Sequence, residues 1–171
     1  IQIRDVQRVC AEMGIFMKET IVQLIAAGMG TLGYGVLFRL RTKHLVTAVI
    51  GGVMTWGIYL IFTNVIEGVF YPTLIASAAA AAYAEIMARL LKAPVPLYVL
   101  PAIISLVPGG SLYYTMSYCM ERDWEQFGIF GYRTVQYALA IAAGMSLVWA
   151  LVDMWKRGIE KGKQKRWEER I

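Results

Sequence analysis

Five stretches of this chain are each long enough to cross a hydrocarbon layer as a helix and nearly free of charge: about residues 21–38, 45–62, 72–91, 97–118 and 132–152. A bilayer core about 30 Å thick is matched by roughly 20 apolar residues at 1.5 Å per residue. No water reaches the backbone there, so the amides of each run must be satisfied within the run, as in a helix. One apolar run at the N-terminus would read as a leader on a soluble domain; several along the chain exclude that reading. Composition agrees, because 58% of the 171 residues are hydrophobic and 17% charged, against about 25% charged in an ordinary soluble domain. The expectation is an all-α integral membrane protein of about five transmembrane helices, forming one membrane domain over residues 17–152.

Loop charges set the orientation. With five spans, twelve of the 17 lysines and arginines fall on one side: Arg39, Arg41, Lys43, Arg89, Lys92 and those of the tail. Arg4, Arg8, Lys18, Arg122 and Arg133 fall on the other. Basic loops stay cytoplasmic, which predicts an external N-terminus and a cytoplasmic C-terminus; a four-span count would break this alternation. The tail, residues 153–171, is basic and suited to anionic headgroups, which also explains the net charge of +5 without nucleic acid. Residues 1–16 carry Ile3, Val6, Val9, Cys10 and Met13 at helical spacing, as in an interfacial amphipathic helix. Equally, Met17-Lys18 resembles a natural start, making the preceding segment a leader, a fusion remnant or a variable extension.

Lipid does not press helices together, so their contact depends on small residues. Helix 1 offers Ala27, Thr31 and Gly35, with Gly28, Gly30 and Gly33 alongside. Helix 2 offers Ala48 and Gly52, then Gly51 and Thr55. Ser77, Ala81 and Glu85 share a face of helix 3, and Ala142, Ser146 and Ala150 share one of helix 5. Small faces in this number leave room for a partner.

The fourth run is unlike the others. Pro101 and Pro108 each remove an amide donor and clash with the carbonyl four residues earlier, and Gly109-Gly110 weakens the helix further. A break at Pro108, near the middle of the span, would put the N-terminus of a half-helix close to the bilayer midplane. Its amides and the positive end of its dipole suit an anionic group such as a carboxylate. The candidate substrate-binding residues are Pro108, Gly109, Gly110, Ser111, Tyr114 and Thr115, with Ser111 as cap or ligand and the hydroxyls of Tyr113, Tyr114 and Thr115 nearby. The alternative is a kink with no ligand.

Glu85 is the only acidic side chain well inside a predicted span. Burial there costs roughly 2–3 kcal/mol, so it is expected to face protein or water. It reads either as a proton-coupling site or as an i,i+4 ion pair with Arg89, and a pair that opens during transport is also a gate. One histidine, His44, and two distant cysteines, Cys10 and Cys119, provide neither metal-ligand spacing nor a disulfide framework. With no catalytic constellation in the sequence, neither an enzyme nor a cofactor is expected.

A glycine-rich first helix, a third ending AEIMARLLKAPVP and a fourth reading PAIISLVPGGSLYYTM together resemble the C-terminal half of the threonine/serine exporter family, which also occurs as a separate small subunit of the YjjB-like type. The resemblance covers about residues 17–155 and is most specific over 84–118. It implies a five-helix domain in a bacterial cytoplasmic (inner) membrane, a YjjP-like second subunit, and export of threonine and serine or of a dicarboxylate such as succinate. The family's P-L-x-P-G becomes Ser105-Leu106-Val107-Pro108-Gly109, with serine in place of the first proline. Two alternatives to a two-component exporter remain open: a non-transporting membrane partner that stabilises or localises a larger protein, and a self-sufficient homo-oligomer.

Overall fold

The computed structural model describes the backbone of residues 3–168 and the side chains of residues 18–157. Among the described residues there are six helices and no strand: α1 (Ile3–Leu37), α2 (Thr42–Thr63), α3 (Phe70–Leu90), α4 (Pro96–Ile104), α5 (Gly109–Glu121) and α6 (Trp124–Glu168). Four segments are long and apolar enough to span a membrane, Lys18–Leu37, Thr42–Thr63, Phe70–Leu90 and Trp124–Arg157. The pair α4 and α5 forms a fifth if counted as one span, bent by 56°. This is an all-α membrane protein. The backbone of α1 is helical from Ile3, but the amphipathic reading of residues 1–16 rests on side chains outside the described residues. The same holds for the tail beyond Arg157.

Neighbours in the bundle form a row, α1–α2–α3–α6–α5, with α4 tucked against α1, α2 and α3. At the centre of the row, α3 turns a seam of small residues inward: Ala76, Ser77, Ala80, Ala81 and Ala84 are fully buried. Methyl-sized side chains let backbones approach where no hydrophobic force draws helices together. Against this seam α6 places Ala140 and Gly144. Ser77 Oγ donates to the Ala140 carbonyl at 3.3 Å, and a Cβ at Gly144 would overlap Ser77 Oγ and stand 2.6 Å from the Leu74 carbonyl. The buried face of α6 is therefore not Ala142, Ser146 and Ala150, which are exposed. Ala142 lies about 200° around the helix from Ala140, and small residues on several sides of α6 gave the pattern more than one face to choose.

On α2 the predicted stripes are buried: Ala48, Gly51, Gly52 and Thr55. Thr31 of α1 seats on Gly52, where a Cβ would collide with it. Tyr83 of α3 lies over Gly51 and donates its hydroxyl to the Thr47 carbonyl at 2.8 Å. His44 and Tyr98 hydrogen-bond through Nδ1 and Oη, tying the start of α4 to the start of α2.

Polar turn chemistry closes the connections. Arg39, Lys92 and Arg122, just past the ends of α1, α3 and α5, have φ of 51°, 50° and 61°, a left-handed cap more often made by glycine. Asp123 Oδ1 then accepts from the Gln126 amide at 3.2 Å, so α6 begins within two residues of the end of α5.

Because the α3–α6 seam has no room for a side chain, Gly144→Leu should destabilise the protein by about 1–3 kcal/mol. Thermal unfolding in detergent would show a lowered midpoint. Gly128→Ala, where a Cβ meets nothing within 4 Å, should leave it unchanged or slightly raised.

Candidate functional site: a groove at the broken helix

α4 has nine residues, about 13 Å of helix, so it fills only part of the bundle's depth. It starts at Pro96 in the first turn, where the missing amide costs nothing, and buries Tyr98, Val99, Pro101, Ala102 and Ile103. Its register is fixed by Tyr98 at His44 and by Ala102 beside Gly51. Regular helix ends at Ile104. Ser105 to Pro108 follow as the break, with Pro108 at φ −78°, ψ 58°, and the Gly109 amide turns back to the Val107 carbonyl at 2.8 Å. From Gly109 the chain crosses to α6, which among the described residues is the only helix that α5 packs against.

Beyond the end of α4 this swing opens a groove. One part, about 290 Å³, lies among Gln23, Ala27 and Gly30 of α1, Trp56 of α2, and Ile104 and Ser105. The other, about 220 Å³, is lined by Trp56, Tyr59, Tyr137 and the backbone of residues 105–111. Trp56 and Ser105 border both, so the two parts adjoin. Their depth is set by Thr31 Oγ1, 3.5 Å from Ser105 Oγ, which in turn rests on Gly52 in the middle of α2. The groove therefore begins near mid-bundle and runs away from the Arg39 and Lys92 turns.

Its polar groups are uncharged. Tyr59 and Tyr137 join hydroxyl to hydroxyl at 2.9 Å, linking α2 to α6 across the groove. Trp56 packs on Tyr59 with ring centroids 5.0 Å apart. Its indole Nε1 is buried with no hydrogen-bond partner among the described residues, and leaving a buried donor unpaired costs about 1–3 kcal/mol. At the break, the last carbonyls of α4 and the first amides of α5 are separated by only four intervening residues, 105–108. Helix ends carry such unpaired groups and opposite partial charges.

Of the residues singled out from sequence, Pro108, Gly109, Gly110 and Ser111 line this groove. Thr115 and Tyr114 lie elsewhere. The Thr115 hydroxyl donates to the Ser111 carbonyl at 2.7 Å and sits 3.4 Å from Thr134 Oγ1, while the Tyr114 ring packs on Phe130; both belong to the α5–α6 contact. Sequence reasoning passed over Gln23, Trp56, Tyr59 and Tyr137. A glutamine in an otherwise apolar span was the one available signal. Ser105, noticed only as a departure from a motif, proves to border both parts of the groove.

Glu85 and Arg89 stand apart from it, at the other end of the bundle. Arg89 Nη2 and Nε donate to Glu85 Oε1 at 2.8 and 3.2 Å, and Lys156 Nζ of α6 reaches the same oxygen at 3.2 Å. The carboxylate is buried and both cations are more than half exposed. Lys156 was not foreseen because it lies past the predicted end of the last span, yet α6 continues as helix and carries it back to α3.

Several apolar spans, one of them interrupted beside an uncharged polar groove, make this a multi-pass membrane transporter in class. The family model described as "Threonine/Serine exporter, ThrE" matches residues 23–151, and the chain belongs to that family. No curated protein and no solved structure matches it. A small-molecule substrate and a lipid surround follow from the family.

An open groove makes a chemical prediction, that water reaches its walls. In a background with Cys10→Ser and Cys119→Ser, Gln23→Cys and Ser111→Cys should react several-fold faster with a membrane-impermeant thiol reagent than Ile25→Cys, which is exposed on the apolar outside of α1. Equal labelling of all three would show that the groove is closed to water.

Proposed function

We propose that this chain is one subunit of a two-component exporter that holds threonine or serine at the break between α4 and α5. The observation carrying the reading is the pair of opposite helix ends at Ile104 and Gly109. An amino acid is a zwitterion: its carboxylate suits the amides of Gly110 and Ser111 and its ammonium the terminal carbonyls of α4. A dicarboxylate would set its second anionic group against those carbonyls, which favours amino acids over succinate. The side-chain hydroxyl of threonine or serine has the Tyr59 and Tyr137 hydroxyls as candidate partners.

A second, YjjP-like subunit completes the site in this reading. The groove is open on the side between α1 and α6, which make no contact among the described residues, and Gly30 and Gly33 on α1 have no described neighbour where a side chain would project. These are surfaces for another chain's helices. Basic turns at Arg39 and Lys92 and basic residues at the end of α6 support a cytoplasmic C-terminus in the inner membrane, so the groove is open toward the outside. Glu85, Arg89 and Lys156 lie at the cytoplasmic end, and separation of α3 from α6 there would break the ion cluster, giving a gate whose closed form is held by charge.

In proteoliposomes holding this chain and its partner, Pro108→Leu with Gly109→Leu should abolish threonine transport while the complex still assembles. Transport at the wild-type rate by an assembled double variant would remove the break from the mechanism. Threonine should compete for transport far better than threonine amide, which lacks the carboxylate. Glu85→Gln should slow transport more than it reduces assembly; equal loss of both would make the cluster structural only.

A further inference from the structure

A second groove, of about 470 Å³, runs between α3 and α6 at the end bearing the ion cluster, lined by Ala82, Ile86, Val148, Leu151 and Trp155, with Glu85 and Arg89 at its polar end. It shares no residue with the groove at the broken helix. Its walls open to the apolar surround, since Ile86 and Leu151 are 54% and 58% exposed. Among the described residues the charge at its head does not balance. One carboxylate faces two cations, and all three contacts fall on the single oxygen Oε1. Arg89 Nη1 has no partner among the described residues, while the next acid on α6, Asp153, is paired with Arg157 at 2.8 Å. Trp155, 71% exposed beside Lys156, suits the headgroup level of a bilayer, where tryptophan and basic residues collect.

We infer that this groove binds one anionic phospholipid, with its phosphate on Arg89 and Lys156 and an acyl chain along the floor formed by Ala82, Ile86, Val148 and Leu151. The excess positive charge among the described residues attracts an anion, the apolar floor suits a chain attached to it, and the position at a membrane surface supplies both in one molecule. A zwitterionic lipid satisfies the floor but brings its own cation to a site that already has one in excess. Glu85 then has an opposing effect: it holds the two cations in place while weakening their attraction for phosphate.

Native mass spectrometry of the full chain, with phosphatidylglycerol and phosphatidylcholine of identical acyl chains, tests this. Wild type should retain phosphatidylglycerol in preference by about fivefold or more, the factor expected for one basic residue near a membrane surface. Glu85→Gln should raise that preference. Adding Arg89→Gln and Lys156→Gln in the same background strands no carboxylate and should abolish it. Ala82→Phe, which leaves all three charges in place, should lower retention by filling the floor. Equal retention of both lipids by wild type, a preference that survives in the triple variant, or a fall in preference with Glu85→Gln would each overturn the inference. So would displacement of the lipid by soluble glycerol phosphate at the same concentration, which would make this a site for a free anion.

Discussion

α3 touches α2, α4 and α6 at once because what it turns toward them is methyls, hydroxyls and one carboxylate. In water such a surface would be a weak core, since an alanine removes little apolar area. Lipid tails offer no hydrophobic penalty to escape, so the advantage passes to whatever permits close van der Waals contact and short interhelical hydrogen bonds. Ser77 against the Ala140 carbonyl and Gly144 against Leu74 are that kind of contact. The position of α6 follows from them, and the position of α5 from α6. The groove at the break exists because α5 is held there instead of continuing along α4.

How much of this could be read in advance depended on whether the cause lay within one helix or between several. Apolar helices enough for four or five spans were legible because the bilayer acts on each segment separately, although α6 starts at Trp124, eight residues before the fifth run, and continues past its end. So was the interruption at Pro108-Gly109, a local defect of donor count and backbone stiffness. The buried stripes of α2 and α3 were legible too, since their small residues have one consistent spacing. For α6, Ala142, Ser146 and Ala150 offered as good a spacing as Ala140 and Gly144, and only the docking partner separates them. The groove's walls were less visible still: Gln23, Trp56, Tyr59 and Tyr137 come from three helices, and nothing in the order of the chain says they meet. Thr115 shows the converse, a hydroxyl near the break in sequence that the helical turn carries round to Thr134.

A broken span in lipid creates an obligation as well as an opening. Backbone groups released at residues 105–108 must find partners, because each one left bare inside an apolar medium is costly. Within the chain, Val107 and Pro108 carbonyls take the amides of Gly109 and Leu112, which reduces the debt without clearing it. The unpaired Trp56 indole adds to the same local imbalance. A site with donors and acceptors in excess is poorly satisfied when empty, and that makes occupancy and stability interdependent: whatever fills the groove with matching polar groups also steadies the two half-helices around it.

The turns after α1, α3 and α5 carry a different kind of double duty. At Arg39, Lys92 and Arg122 a single residue both adopts the left-handed backbone that ends the helix and bears a positive charge. Glycine would adopt that backbone with less strain, so the finished fold alone gives no reason to keep arginine or lysine there. Nascent segments, however, are oriented during insertion by loop charge, before any tertiary packing exists. At Arg39 and Lys92, which the five-span reading puts on the more basic face, the requirements of insertion and of the final backbone therefore favour different amino acids.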